Sequence, residues 1–260
     1  MSQRKFAIVT GASSGIGLEI AKLAAQDGYD LLVVADTPFV DAAAGLKDLG
    51  VEVDQVECDL ATDQGVRQLL DAAGGREVDV LVANAGHGLG GGFLDQDPTE
   101  WRHVIDTNIT GTLLLLQPVL KSMVARGDGK VLITGSIAGH LAGSFQAVYN
   151  GTKAFVDSFS AAIDNELKDT GVTVTCLKPG ATETEFFHRA DLDDTKVGQS
   201  KKRDPADTAK TGWQAMLKGE QSVVDGLMNK AQVLAAGVLP ESVTAAMHRK
   251  QAEPGSGDQS

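Results

Sequence analysis

Short apolar runs alternate with longer amphipathic stretches along most of this chain. Phe6-Ala7-Ile8-Val9 and Val80-Leu81-Val82 are continuous runs without polar interruption. Unbroken runs of this length mark strands buried on both faces, as in a parallel sheet covered by helices. Strands are predicted at 5–10, 30–35, 51–57, 78–83, 130–134 and 172–178, with a seventh at 223–224. Helical periodicity falls between them, at 15–28, 38–49, 62–74, 98–126 and 146–170. A further helix is predicted from Asp204-Pro205, an N-cap followed by proline in the first turn, to about Lys218.

Repeated strand–helix–strand units with right-handed crossovers predict an α/β fold. It would be a doubly wound, mostly parallel sheet of about seven strands with helices on both faces. Residues 1–252 read as one domain. Residues 253–260 hold no apolar side chain and read as a frayed tail. Residues 183–204 are polar and lack a period, which predicts a flexible flap. Ligands of such sheets sit beyond the carboxyl ends of the strands, so residues there carry the most weight.

The first strand is followed by Thr10-Gly11-Ala12-Ser13-Ser14-Gly15-Ile16-Gly17, which opens the first helix. The glycines permit a tight turn and close approach of a pyrophosphate, and the helix N-terminus offers free N–H groups to it. Asp36, nineteen residues after Gly17, ends the second strand. An acid there accepts hydrogen bonds from adenosine ribose hydroxyls and repels a 2′-phosphate. No lysine or arginine lies between Lys22 and Lys47, so that stretch offers such a phosphate no cation. NAD is therefore expected in preference to NADP. Asp59 ends the third strand, where it can reach the adenine edge or cap the helix that follows. Asn84-Ala85-Gly86 ends the fourth, small enough for a cofactor to cross the sheet.

Tyr149 and Lys153 stand four apart on a predicted helix and so share a face. A phenol titrates near 10, too high for easy base chemistry at neutral pH, and a neighbouring ammonium would lower that value. Ser136, just past the fifth strand, can orient a substrate oxygen. The pair alone carries little weight. Its conjunction with Ser136 and the glycine loop points to hydride transfer with a tyrosine as the proton handler.

With these residues in place the chain resembles the short-chain dehydrogenase/reductase family, in its single-domain Rossmann-fold branch. Thr10 to Gly17 resembles that family's Thr-Gly-x-x-x-Gly-x-Gly loop. Asn84-Ala85-Gly86 resembles its Asn-Asn-Ala-Gly element, with Ala83 in place of the first asparagine. Asn108, Ser136, Tyr149 and Lys153 match its active-site set, and Pro179-Gly180 with Thr184 its Pro-Gly turn and cofactor-touching threonine. The resemblance implies Tyr149 as general acid or base and Lys153 on the nicotinamide ribose, lowering the tyrosine's pKa. It implies Ser136 on the substrate oxygen and Asn108 holding a water that links Lys153 to solvent. Cofactor contacts are implied for Gly11, Ser13, Ser14, Gly15, Ile16 and Gly17; for Asp36, Asp59 and Leu60; and for Asn84, Ala85 and Gly86. They are implied too for Tyr149, Lys153, Pro179, Gly180, Thr182 and Thr184. Members preferring NAD often carry the acid one position earlier, where this chain has Ala35. A homodimer or homotetramer built on the helices at 98–126 and 146–170 is also implied. The all-round apolar Leu113-Leu114-Leu115-Leu116 fits such an interface or the core equally.

Bulk properties narrow the partners. The chain has 260 residues, 42% of them hydrophobic, and a net charge of −12. Phosphate backbones and anionic lipid would repel such a surface, so neither nucleic acid nor membrane is expected as partner. The longest leucine-rich stretch, Val104 to Val124, is broken by Asp106, Asn108, Gln117 and Lys121, so no membrane span is expected. Cys58 and Cys176 read as buried free thiols, and Asp191, Asp193 and Asp194, with no histidine partner, as solvated charge; no metal is expected. With the first strand starting at Lys5, no leader is expected, and the cytoplasm is the expected location.

His87 and His140 are placed near the substrate mouth, Gly88–Gly92 as a mobile loop, and Trp101 and Trp213 as packing anchors. The function expected is hydride transfer between a nicotinamide cofactor and an alcohol or carbonyl compound. The alternatives weighed are a non-catalytic, dinucleotide-binding redox sensor and an NADP-dependent carbonyl reductase. A sensor would need neither Ser136 nor Tyr149.

Overall fold

The computed structural model describes residues 4–39 and 42–257. Among these, seven strands form one sheet in the order β3-β2-β1-β4-β5-β6-β7, with every neighbouring pair parallel. The strands are β1 (Phe6–Thr10), β2 (Asp30–Ala35), β3 (Val53–Glu57), β4 (Val80–Ala83), β5 (Gly129–Thr134), β6 (Val172–Lys178) and β7 (Ser222–Val224). β1 and β4 are buried at every position. β3, at the sheet edge, keeps Asp54, Gln55 and Glu57 exposed, so it does not share the continuous apolar character of the central strands.

Two cores flank the sheet. On one face α3 (Asp63–Ala73), α5 (Thr112–Arg126) and α6 (Ala147–Leu167) pack Leu69, Leu115, Leu116, Met123 and Val156 against Ile8, Leu81 and Ile133. On the other, α1 (Gly15–Gln26), α2 (Ala42–Lys47) and α9 (Pro205–Leu217) pack Ile20, Leu46, Trp213 and Met216 against Val9, Val33 and Val82. The helix predicted at 38–49 is present as α2, although positions 40 and 41 lie outside the described residues.

Helix limits follow local chemistry. Thr62 caps α3 by accepting from the Gly65 N–H at 3.0 Å, and Gly74 ends it at φ 63°, where glycine is favoured. Asp204 accepts from the Ala206 N–H ahead of Pro205, as the sequence predicts. The helix predicted at 98–126 runs its full length but is not uniform. α4 (Pro98–Ile105) passes through one π turn at Asp106–Gly111 before α5 begins. A π turn inserts one residue into the ladder and re-aims the side chains around it, and it is often found at functional sites.

The chain after β6 is more ordered than its composition suggests. Residues 183–204 contain α7 (Phe186–Arg189) and α8 (Lys196–Gln199), with Phe187, Ala190 and Leu192 in a small core of their own. Asp193 has a histidine partner after all, His188 Nδ1 at 2.7 Å. Beyond β7 lie α10 (Leu227–Ala236) and α11 (Glu241–Ala252), which hydrophobic periodicity does not reveal: α10 buries none of its residues, and α11 buries Thr244 and Ala252. Where a frayed tail is predicted, the Gly255 N–H donates to the Asp194 carboxylate at 2.7 Å and the Gly257 N–H to the Asp194 carbonyl at 2.8 Å. Residues 258–260 lie outside the described part.

Candidate active site

The order of the sheet reverses between β1 and β4, because the chain returns from β3 to the far side of β1. Loops leaving adjacent carboxyl ends therefore part in opposite directions and open a crevice. A cavity of about 940 Å³ lies there.

One wall is the glycine loop. Gly11 and Gly15 have φ of 64° and 54°, in the left-handed region that side chains disfavour. A Cβ at Gly11 would sit 2.8 Å from Asn84 Nδ2, one at Gly15 would sit 2.7 Å from Thr184 Cγ2, and one at Gly17 would overlap the Gly11 carbonyl. The glycines thus allow three close approaches, and the Thr184 contact brings the loop after β6 onto the start of α1. Ser14 is the N-cap of α1, yet its hydroxyl makes no capping bond. The first-turn N–H groups are left to whatever enters the cavity, which Ser13, Ser14, Gly15 and Ile16 line. This cradle fits the pyrophosphate of a dinucleotide.

Thr10, the first residue of the loop, ties the wall to β4. Its hydroxyl donates to the Val82 carbonyl at 3.2 Å and accepts from the Asn84 and Ala85 N–H groups at 2.9 and 3.0 Å. Asn84 continues the tie. Its Nδ2 donates to the Thr10 carbonyl at 3.1 Å, and its Oδ1 accepts from Thr134 Oγ1 at 3.0 Å. Lys153 Nζ then donates to the Thr134 carbonyl at 2.8 Å. A hydrogen-bonded seam thus joins β1, β4, β5 and α6 along the floor of the crevice.

Asp36 lies at the end of the cavity with Asp59 and Leu60. Asp59 Oδ1 accepts from the Ala61 N–H at 2.8 Å, while the capping role belongs to Thr62. Asp36 carries the main surprise of the site. Its carboxylate meets His87 Nε2 at 3.0 Å and pairs with the Arg189 guanidinium. The His87 bond, then Arg189, hold its carboxyl well below the usual carboxylate range. The 22–47 stretch indeed lacks a cation, but the fold brings one from 153 positions away. His87 accordingly faces the Asp36 end of the cavity. His140 does not line it at all; it meets Asp157 at 3.3 Å and Lys178 at 3.2 Å, and burial pushes its pKa down.

Ser136, Tyr149 and Lys153 converge at the end of β5 and the start of α6, all buried and all lining the cavity. Ser136 ends β5 and caps the 3₁₀ turn at 137–140 through the Ala138 N–H, at 3.1 Å. Tyr149 packs against Phe186 of α7, with ring centroids 5.1 Å apart. Burial pushes the Tyr149 phenol up to about 12, against a hydrogen bond from Ser136 that lowers it. Burial also pushes the Lys153 ammonium down to about 8, with the Asp157 carboxylate opposing. Desolvation disfavours the charged form of each group, which raises the phenol and lowers the ammonium.

Asn108 sits in the π turn. Its Oδ1 accepts from the His87 N–H at 2.8 Å, and its Nδ2 donates to the His87 carbonyl and to Thr152 Oγ1, both at 2.9 Å. With both N–H donors used, the side chain braces the Gly86-His87 turn against α6. Thr107 beside it lines the cavity, and its buried hydroxyl has no protein partner among the described residues.

The remaining wall joins the Pro-Gly turn to segments that carry no motif. Pro179, Gly180, Thr182 and Thr184 line the cavity as expected, joined by Phe186, Phe187 and Arg189 of the flap. Gly88–Gly92 is held against this flap. The Gly90 N–H donates to the Ala190 carbonyl at 2.7 Å, and a Cβ at Gly88 would strike the Phe186 ring. Met228, Leu239 and Met247, on or between α10 and α11, complete the wall.

A single-sheet dinucleotide fold with a serine, a tyrosine and a lysine gathered at the strand ends defines a class. The family model for short chain dehydrogenases matches residues 5–195, and the chain belongs to that family. It is a nicotinamide-dependent oxidoreductase. An uncharacterized oxidoreductase of Staphylococcus saprophyticus is 32% identical over 219 residues, covering 82% of this chain and 92% of that one. A putative ketoacyl reductase of Streptomyces coelicolor is 36% identical over 184 residues, covering 68% and 70%. A short-chain dehydrogenase from Sphingobium yanoikuyae, solved in complex with NADPH, superposes with a TM-score of 0.80 at 27% identity, covering 92% and 97%. No helix among the described residues is long and apolar enough to cross a membrane.

Proposed function

We propose that the protein interconverts a carbonyl compound and its alcohol, with Tyr149 moving the proton and Ser136 orienting the substrate oxygen. The observation that carries this reading is the burial of both hydroxyls with Lys153 beside the glycine cradle. The bound cofactor supplies or accepts the hydride. Gly11 to Gly17 would hold its pyrophosphate, and Asp36 its adenosine ribose. Asp59 and Leu60 would take the adenine, and Asn84 to Gly86 would line its path across the sheet. Lys153 would take the second ribose, and Pro179 to Thr184 would close over the nicotinamide. Asn108 acts by positioning: it fixes the turn after Gly86 and, through Thr152, the helix that carries Tyr149 and Lys153.

The protonation states favour reduction at neutral pH. With its phenol near 12, Tyr149 carries its proton and is ready to donate it, whereas oxidation needs the rare phenolate. We therefore expect kcat/KM for alcohol oxidation to climb close to tenfold per pH unit between about pH 6 and 8. Over the same range reduction stays level to within about twofold, because the phenol keeps its proton and Lys153, near 8, is still about half charged at the upper end. Initial rates in both directions test this. A flat oxidation profile would show that another group moves the proton.

NAD is the proposed cofactor, on the strength of the Asp36 carboxylate at the ribose end. Arg189 softens that preference without reversing it, because its charge is engaged by the acid. NADH is expected to bind at least about tenfold tighter than NADPH in fluorescence titrations, a difference of about 1.4 kcal/mol. Tighter NADPH binding that disappears in Arg189→Ala would overturn the proposal and make Arg189 the 2′-phosphate ligand.

Exposed Leu114 on α5 and Phe155 on α6, the latter stacked on Phe159, support the homodimer or homotetramer that the family implies. A monomer mass in sedimentation equilibrium would end that reading. Two unpaired buried thiols, both with raised pKa values, suit the reducing cytoplasm, and a small molecule is the partner.

A further inference from the structure

The cavity does not end at Tyr149. The same cavity is lined by Leu141, just after the turn at 137–140, and by residues of α10 and α11, which roof it. That roof is fixed on both sides. His248 Nδ1 of α11 meets the Ser144 carbonyl at 2.8 Å, and Ser144 Oγ donates to the Ala245 carbonyl at 3.1 Å. Beyond the end of α11, Gly255 and Gly257 are bonded to Asp194 at the edge of the flap.

The roof presents a surface that the fold itself does not use. Met228, Leu239 and Met247 line the cavity yet remain 83%, 37% and 55% exposed. Methionine is unbranched and adapts its shape to irregular apolar ligands. The charge is as informative as the apolar area. In a chain of net charge −12, none of the described α10 and α11 residues lining the cavity is acidic, and Lys250 of α11 is basic. A cationic substrate would find no counter-ion on this wall. A hydrocarbon would find three side chains that gain by leaving water.

We infer that the substrate is a non-cationic ketone or aldehyde with an extended hydrocarbon part, its carbonyl at Tyr149 and its chain lying along α10 and α11. This rests on the oxidoreductase reading of the Tyr149 site and adds the class of compound it accepts. The occupant follows from continuity: the exposed apolar side chains belong to the same cavity as the phenol. Leu227, Leu234, Val238 and Val243, also exposed, lie outside it.

The test is a series of straight-chain methyl ketones from 2-butanone to 2-decanone, assayed with both NADH and NADPH. Each methylene that enters the roofed part raises kcat/KM by about fourfold, the factor that roughly 0.8 kcal/mol per buried CH₂ corresponds to. Met228→Asp and Met247→Asp flatten that rise. Leu227→Asp, outside the cavity, leaves the rise intact. Binding of 2-butanone and 2-decanone to the cofactor-loaded protein, measured by calorimetry, gives a second readout that needs no turnover. Tighter binding of the longer ketone, lost in Met247→Asp, supports the inference even where no ketone of the series is turned over; that silence would count against the oxidoreductase reading alone. A flat series with good activity on the short ketones overturns the inference and leaves the oxidoreductase reading standing. Equal binding of the two ketones overturns it as well.

Discussion

Tyr149→Phe is expected to lower turnover in both directions by roughly 10²–10⁴, the usual contribution of a placed proton donor. NADH affinity should change little. The substitution keeps the ring, so the packing on Phe186 survives, and it removes only the hydroxyl that Ser136 bonds. The remaining rate should lose the pH dependence of the oxidation direction, because the group that titrates is gone. Steady-state assays beside a cofactor titration separate the two effects. Near-normal activity in the variant would sink the assignment. Lost cofactor binding would show that the phenol is part of the cradle.

Gly17→Ala should damage both the fold and the cofactor cradle. Its Cβ would overlap the Gly11 carbonyl and crowd Asn84 Nδ2, so α1 must move away from the loop it is meant to complete. Overpacking of this kind costs about 1–3 kcal/mol. The same movement displaces the uncapped first turn, so cofactor affinity should fall by at least about tenfold. Gly151→Ala is the matched control. It lies on the exposed side of α6 with no heavy atom within 4 Å, and an added methyl in a helix stabilises by up to about 1 kcal/mol. Thermal melts with and without NADH decide the matter; a Gly17→Ala protein that matched wild type in both would refute the close approach.

Much of this architecture is legible in the sequence because the signals are local. The glycine loop, the apolar strands and the Asp204-Pro205 start each need only a few neighbouring residues to be read. The parts that escaped are those set at long range. The π turn at 106–111 is held by bonds from Asn108 to His87 and Thr152, and no pattern of spacing announces it. Arg189 reaches Asp36 only after the flap has folded over the sheet, so a search for cations near Asp36 in sequence finds none. The roof helices escaped for the opposite reason. Hydrophobic periodicity reports burial in a core, and α10 buries nothing there. The flap lacks a period because its helices are single turns, each too short to show one.

The seam from Thr10 through Asn84 and Thr134 to Lys153 has a consequence for how the protein is made. Its members are drawn from positions 10, 84, 134 and 153, and β4 finds its second neighbour only when Val80 meets Lys130. A nascent chain emerging from the ribosome therefore carries a half-built crevice with one apolar edge uncovered for at least fifty residues of synthesis. Pairing of strands so far apart is slow, and an uncovered edge invites self-association. The ability to bind a dinucleotide then becomes a late and global property of this chain, acquired when the last strands dock, and cofactor present during synthesis would favour the completed sheet over its unfinished forms.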